Sequence, residues 1–328
     1  MISLKLTTLR KSVYAMLLAA GTMSAAQAMT PTSIQLPTGP TGGGYYFLAG
    51  LVGNTIQSAT GVTVTVMPSA GSGENLALMG RGDVEMTMGA SNSVYPAWQG
   101  LAQWEGRPVR NYRAIMFMFP NPTVFTALES SGITSIQDLA GKRVGVGTAP
   151  VPWDTITGPF LEAHGLRYPG DIRAVYAPFG PAQQQIGDGL LDAAIATSTV
   201  VAIQELARSN RINYLTWDDD ARAKLAEQYP YFIPVEVPGD QLPGFSGDVY
   251  KTVDMGGPYL LIRDNISDDF VYTITKAIHE NLPRLAASDA TLRFVNDNPE
   301  FLTQPLGDFD LFHPGAIRYW REVGLWRD

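Results

Sequence analysis

The feature that most limits what this chain can fold into is a repeated order of strand, small-residue loop, helix and strand. Residues 33–36 and 62–66 have the pattern of strands, and residues 45–59 between them carry apolar side chains at helical spacing. A short helix over 74–79 and a strand over 84–88 continue this order. It predicts a parallel sheet with helices on its faces. Each loop then lies at the carboxyl end of a strand, where open α/β sheets bind ligands.

The same order begins again after residues 130–132, in the second half of the chain. Strands and helices are predicted to alternate over 143–146, 154–163, 172–177, 181–186, 193–196, 200–208 and 212–215. The repetition predicts two similar lobes that face each other across a cleft. Two ordinary strand–helix–strand units, alike by coincidence, remain the alternative. Beyond residue 218 we predict a helix over 221–228, an edge strand or loop over 232–237, a bent strand over 253–262 and a helix capped by Ser267.

The N-terminus has the pattern of a bacterial secretory signal peptide. Lys5, Arg10 and Lys11 precede a short apolar stretch over 13–20, and Ala-Gln-Ala at 26–28 forms a small-x-small cleavage site. A membrane anchor is the alternative, but the apolar stretch falls short of the ~20 residues that a spanning helix needs. We therefore expect a periplasmic protein that begins near Met29.

Charge and composition exclude several classes of function. Residues 1–28 hold three cations and no acid, so their removal changes the net charge from −8 to −11. No run of Lys or Arg follows, which argues against binding to nucleic acid. The chain has no Cys, which excludes thiolate catalysis and Cys-built metal sites.

The inventory of catalytic groups is small. The three histidines, His164, His279 and His313, are far apart and have no metal-ligand spacing, so we interpret them as surface or packing residues. No nucleophile elbow and no phosphate-binding loop occurs, and Gly145-Val146-Gly147 is only a fragment of a dinucleotide motif. The sequence therefore predicts no enzyme, no cofactor and no metal.

Glycine and hydroxyl residues are abundant at the predicted helix N-termini. They precede the first two helices at 38–44 and 69–73, follow the third strand at 91–93, and occur again at Thr148 and at 197–199. Free N–H groups at a helix N-terminus bind anions without a basic side chain. Ordinary capping and turn formation would explain any single loop, but five such loops predict a ligand held largely by neutral donors.

These loops carry motifs that resemble one known family. Thr-Gly-Gly-Gly-Tyr-Tyr at 41–46, Ser-Ala-Gly-Ser-Gly-Glu-Asn-Leu at 69–76 and Gly-Asp-Val at 82–84 resemble the TAXI proteins, the TRAP-associated extracytoplasmic solute receptors. The segments 229–234 and 269–281 resemble later parts of the same family.

This resemblance implies an α/β fold, that of a two-lobed periplasmic binding protein of type II topology with its ligand cleft between the lobes. Lobe 1 would comprise residues 29–130 and 251–328, and lobe 2 residues 131–250. The receptor would capture a small organic carboxylate or amino acid and deliver it to a TRAP membrane permease. A sensor subunit of a signalling system and a periplasmic hydrolase are the alternatives.

One loop departs from the family pattern. Residues 147–154 read Gly-Thr-Ala-Pro-Val-Pro-Trp-Asp where the family has a glycine-rich turn. Trp153 would offer an apolar face and Asp154 a negative charge. We therefore hypothesise a ligand with one carboxylate and an apolar or cationic part. The candidate ligand-binding residues are Thr38, Thr41, Gly42, Gly43, Tyr45, Ser69, Gly71, Ser72, Asn75, Ser91, Asn92, Thr148, Trp153, Asp154, Thr197 and Ser198.

Overall fold

The structure, a computed structural model, describes residues 29–41, 44–147 and 154–326. The predicted signal peptide and the candidates Gly42, Gly43, Thr148 and Trp153 lie outside the described residues. Of Asp154 the structure describes the backbone, which begins a helix.

The first part of the chain forms the predicted alternation of strands and helices. Its elements are β1 (Ser33–Pro37), α1 (Gly44–Thr60), β2 (Thr63–Met67), α2 (Ser72–Arg81), β3 (Met86–Ala90) and α3 (Ser91–Gln99). β1 and β2 pair in parallel, and the Thr87 hydroxyl of β3 donates to the Pro37 carbonyl at 2.7 Å, which holds β3 beside β1. The predicted loop at 91–93 is instead the first turn of α3, because the strand ends two residues later than predicted.

A strand from the C-terminal part of the chain completes the first lobe. β12 (Pro258–Arg263) lies between β3 and β4 (Tyr112–Phe117) and runs antiparallel to both. Four further helices follow it: α8 (Asp268–Glu280), α9 (Leu282–Ser288), α10 (Arg293–Asp297) and α11 (Pro314–Glu322). Trp320 of α11 is fully buried and donates its indole N–H to the Ile115 carbonyl at 2.9 Å, which fastens this segment to the sheet.

The second lobe is built on one five-stranded sheet with the order β7-β6-β8-β5-β9. The strands are β5 (Thr123–Leu128), β6 (Arg143–Gly145), β7 (Arg173–Val175), β8 (Ala193–Thr197) and β9 (Ile212–Tyr214). The helices are α4 (Asp154–Ala163), α5 (Phe179–Gly187), α6 (Val201–Ser209) and α7 (Asp219–Gln228). β5 runs antiparallel to β8 and β9, so each lobe contains one strand that enters antiparallel between two others.

The predicted bent strand over 253–262 is two strands. β11 (Val249–Val253) pairs with β10 (Pro234–Pro238), and β12 begins only at Pro258. The chain turns sharply between them because Gly256 has a φ of +136°, which side-chain-bearing residues rarely adopt.

The strand pairing also bears on the lobe boundaries, which were expected near residues 131 and 251. β5 precedes residue 131, yet it pairs in the second sheet, and its Val124 and Phe125 lie in the second hydrophobic core. Val253 lies in that core as well. We therefore propose that the chain crosses between the lobes at 118–122 and 254–257. Among the described residues, no helix is both long and apolar enough to cross a bilayer.

Candidate ligand-binding cleft

Among the described residues, five helices that follow sheet strands begin without a side-chain cap. One of them is α8, where the prediction that Ser267 caps the helix is wrong because its side chain makes no hydrogen bond to the first turn. The N-cap residues of α2, α3, α5 and α6 are Gly71, Ala90, Pro178 and Val200, and none of their side chains caps its helix. α7, by contrast, is capped by the Asp218 carboxylate, which accepts the N–H groups of Asp220 and Ala221. The first N–H groups of an α-helix have no partner within the helix. Apart from the Ser91 N–H of α3, which donates to the Gly257 carbonyl, the first N–H groups of these uncapped helices and the positive ends of their dipoles therefore point to an anion site.

Ser72 and Asn75 join the strand ends of the first lobe. The Asn75 amide donates to the carbonyls of Thr38 at 2.8 Å and Met88 at 2.9 Å, and the Ser72 hydroxyl oxygen accepts the Ala90 N–H at 3.0 Å. Both donors of Asn75 are thus used internally, and we assign it a positioning role. Ser72 accepts through its oxygen and keeps its own O–H for another acceptor.

Two buried polar atoms beside this junction have no hydrogen-bond partner among the described residues. They are Thr38 Oγ1 and Asn75 Oδ1. Thr38 is 1% exposed and Asn75 is fully buried. Unsatisfied buried polar atoms are uncommon in native proteins, so they mark a place where a water or a ligand group completes the bonding.

The loop before α2 is held in place by its own hydrogen bonds. The Ser69 N–H donates to the Gly39 carbonyl at 3.0 Å, and its hydroxyl oxygen accepts the Gly71 N–H at 3.2 Å. Gly71 has a φ of +112°, which favours glycine. Thr41 is exposed.

Ser91 and Asn92 contact the crossover segments. The Ser91 hydroxyl donates to the Tyr231 carbonyl at 3.1 Å, and the Asn92 amide donates to the Met255 carbonyl at 2.9 Å. The Ser91 N–H donates to the Gly257 carbonyl at 3.0 Å. These side chains hold the crossover in this conformation, and their contact with a ligand stays a prediction.

Asp254 is the central polar residue of the crossover, and sequence reasoning missed it. Its carboxylate is fully buried and accepts the N–H groups of Asn121 at 2.8 Å, Gly256 at 2.9 Å and Gly257 at 2.8 Å. Burial raises the pKa of Asp254 to about 6, although the three N–H donors act in the opposite direction. The available signal was an acid followed by two close glycines at the end of a strand, Asp-Met-Gly-Gly.

Tyr45 links the first helix to this crossover. Its hydroxyl oxygen accepts the Asn121 amide N–H at 3.0 Å, and its ring meets Phe119 edge-on with centroids 5.7 Å apart. The same amide nitrogen also donates to the Gly256 carbonyl at 3.1 Å. Burial raises the pKa of Tyr45 well above its usual range, so the hydroxyl stays protonated.

The second-lobe candidates lie where β8 ends. The Ser198 N–H donates to the Pro122 carbonyl at 2.9 Å, and the hydroxyls of Thr197 and Thr199 are 3.2 Å apart. Both candidates are partly exposed. The structure therefore places Thr197 and Ser198 beside the crossover, on the second lobe's side.

Large apolar side chains are exposed in three of the segments that follow strands. Phe47, in the first turn of α1, is 56% exposed. Tyr176 directly follows β7 and is 46% exposed, and Val201, the first residue of α6, is 63% exposed. An apolar part of a ligand could cover them.

The three histidines pack into the structure singly. His164 Nδ1 lies 2.7 Å from the Phe160 carbonyl, and its Nε2 accepts the Asp218 N–H at 3.2 Å. His279 Nδ1 lies 2.8 Å from the Tyr319 hydroxyl, and His313 Nδ1 accepts the Gly315 N–H at the start of α11. Within the part of the chain that the structure describes, no group of three or more His, Cys, Asp or Glu has the arrangement of a metal site.

The structure is mixed α/β, its three-stranded and five-stranded sheets each hold one antiparallel strand between two others, and it has the fold of two-lobed periplasmic binding proteins. The chain belongs to the NMT1-like family, whose model matches residues 36–324.

Two solved structures show the same fold. PhnD1 from Prochlorococcus marinus (MIT 9301), solved in complex with methylphosphonate, is 11% identical with a TM-score of 0.52, and the match covers 90% of this chain and all of that one. A protein from Methylobacillus flagellatus KT described as the periplasmic sulfonate-binding protein SsuA is 14% identical with a TM-score of 0.51. That match covers 89% of this chain and 87% of the other.

Proposed function

We propose that this protein is an exported solute-binding receptor that captures a small organic anion in the cleft between its lobes. The observation that carries the proposal is the absence of a side-chain cap at the N-termini of α2, α3, α5 and α6, which follow strands of both lobes. They supply backbone donors without a fixed basic side chain, which suits an anion that must be released again.

The finer assignment is a TAXI-type receptor that delivers its solute to a TRAP membrane permease. It is supported by the motifs at 41–46 and 69–76, which extend into the first turns of α1 and α2. The N-terminal signal pattern supports a periplasmic location. The carboxylate or amino-acid class of ligand is part of this proposal.

In this proposal the ligand has an apolar part in addition to its anionic group. Phe47, Tyr176 and Val201 support it by their exposure in segments next to the strand ends. The sequence hypothesis for Trp153 supports it as well, because an indole ring would offer a further apolar face.

Calorimetry and thermal shift on the mature protein test the proposal. Panels of monocarboxylates, dicarboxylates, amino acids, alkylphosphonates and alkylsulfonates cover both the proposed class and the ligands of the two similar structures. We expect a monocarboxylate with an apolar side chain to bind most tightly. Ligand at ~100 times its Kd should stabilise the fold by about 2.7 kcal/mol. Preference for a phosphonate or sulfonate would contradict the carboxylate class, and a response to cations alone would contradict the anion site.

A further inference from the structure

A groove outside the cleft runs along the first lobe between α2 and the segment 103–111. It has a volume of about 760 Å³. Its floor is formed by the small residues Gly73, Ala77 and Gly80 of α2. At one end the opposite wall packs closely against the helix, since a Cβ on Gly80 would lie 3.1 Å from Val109 Cγ1.

Three arginines line this groove in an otherwise acidic protein. Arg81 forms an ion pair with Asp83 at 2.7 Å. Arg107 donates to the Gln103 carbonyl at 3.3 Å, and Arg110 donates through Nε to the Trp98 carbonyl at 2.8 Å. Among the described residues, neither Arg107 nor Arg110 forms an ion pair with a carboxylate. Two exposed guanidinium groups thus remain available to an external anion.

The lining of the groove also includes one hydrogen-bond donor and one hydrogen-bond acceptor that have no partner among the described residues. Trp104 Nε1 and Asn111 Oδ1 are buried atoms without a hydrogen-bond partner among the described residues, and both residues line the groove. The Asn111 amide nitrogen donates to the carbonyls of Met79 at 2.9 Å and Gly80 at 3.3 Å, which fixes the side-chain orientation. Both atoms have almost no accessible surface, so a peptide backbone reaches them only after a small outward shift of the segment 103–111; it then supplies a carbonyl for the indole and an N–H for the amide oxygen.

We infer that this groove binds a short acidic segment of a partner protein. Carboxylates of the segment pair with Arg107 and Arg110, and its backbone bonds to Trp104 Nε1 and Asn111 Oδ1. The three arginines of the groove are not among the proposed solute-binding residues, although Gly73, beside Ser72, also lines the groove.

Fluorescence anisotropy with a labelled acidic peptide, Gly-Asp-Glu-Leu-Asp-Glu-Gly, tests the inference, and a peptide with Lys at the acidic positions is the comparison. The groove variant is Arg107→Glu with Arg110→Glu. The control is Arg208→Glu with Arg293→Glu, two exposed arginines outside the groove that give the same change in charge. We expect affinity for the acidic peptide to fall about tenfold or more in the groove variant and less than about twofold in the control.

A second variant tests the backbone contact separately. Trp104→Phe keeps an aromatic ring and removes the indole N–H, so we expect about a threefold loss of peptide affinity. Equal losses in both arginine pairs, equal binding of the Lys peptide, or no binding at low ionic strength would overturn the inference. Competition by free glutamate at the peptide's own concentration would make this a small-molecule site. Displacement of the peptide by phosphatidylglycerol vesicles would make it a membrane surface. Either outcome overturns the peptide assignment.

Discussion

Asp254, buried in the crossover, makes the stability of the fold depend on pH. A carboxyl with a pKa near 6 in the folded protein and about 3.9 when unfolded is more protonated in the fold. Its contribution to stability is therefore largest below about pH 4 and is lost as the pH rises through about 6. Over that window the loss amounts to about 3 kcal/mol.

The variant Asp254→Asn isolates this effect from the other carboxylates. We expect the stability advantage of the wild type over Asp254→Asn to shrink by up to about 3 kcal/mol between pH 4 and pH 8. Urea unfolding across that range measures it, with the exposed Asp240→Asn as the control. A difference between wild type and Asp254→Asn that is independent of pH would show that Asp254 does not titrate in this window.

Ser72 tests the proposed anion site at the start of α2. Its hydroxyl accepts the Ala90 N–H and keeps one hydrogen to donate, so Ser72→Ala removes the proposed ligand contact and an internal bond together. We expect ligand affinity to fall about tenfold and stability to fall by about 1 kcal/mol. Ser58→Ala is the control, since that hydroxyl bonds within α1 to the Asn54 carbonyl. Calorimetry showing unchanged affinity for Ser72→Ala would make its hydroxyl purely structural.

Residues 147–154, which differ from the glycine-rich turn of the family, lead to a prediction made from the sequence alone. Trp153→Gly should weaken binding by about 1 kcal/mol if the indole covers the ligand. Asp154→Asn should alter the preference between amino acids and their deaminated analogues, because the carboxylate would hold an ammonium group or repel a second carboxylate. Binding measured for both variants with matched ligand pairs checks this. A wild type that prefers compact dicarboxylates, with neither variant changed, contradicts it.

At the scale of elements, periodicity and loop composition predicted most of the two lobes. The alternating Val and Thr residues of β2 and the apolar stripe of α1 are local patterns, so the sequence reveals them directly. Local sequence patterns do not determine which sheet β5 and β12 join. Each inserts between strands that come from distant parts of the chain, so its sheet is decided by tertiary pairing.

The roles of the site residues likewise divide into those visible in local sequence and those set by tertiary contacts. A hydroxyl at a helix start is visible in the sequence, but its choice between a ligand and a nearby carbonyl depends on which strand ends meet there. Asn75 bonds to Thr38 and Met88, which lie 37 and 13 residues away in the chain. No local signal specifies such a pairing.

Asn75 accordingly supports the relative positions of β1, α2 and β3. Asn75→Ala removes two hydrogen bonds and leaves two buried carbonyls with lost partners, which we expect to cost about 2–4 kcal/mol of stability. Ligand affinity should fall as well, because the α2 N-terminus is no longer held against the strand ends. Chemical denaturation and calorimetry measure the two effects, and Asn54→Ala, on the exposed face of α1, is the control. Full stability in Asn75→Ala would contradict the positioning role.

For the whole molecule, the two crossovers and a third contact determine how the lobes can move. Tyr231 packs against Tyr95 of the first lobe at 5.6 Å and against Phe232 of the second lobe at 4.6 Å between ring centroids. Its carbonyl also accepts the Ser91 hydroxyl. The lobes are therefore already joined at the base of the proposed cleft, near Asp254. We therefore propose that the lobes move by rotation about the residues at 118–122 and 254–257.

Such a rotation predicts that ligand binding closes the lobes. We expect small-angle scattering to show a radius of gyration that decreases by on the order of 1 Å from about 19 Å at saturating ligand. Ser72→Ala at the same ligand concentration, below its own saturation, should close only in part, and should match the wild type once it is saturated. This dependence on occupancy separates lobe closure from a nonspecific effect of the added anion. An unchanged radius in the saturated wild type would mean that the ligand binds between lobes that the Tyr231 contact and the Asp254 crossover already hold closed.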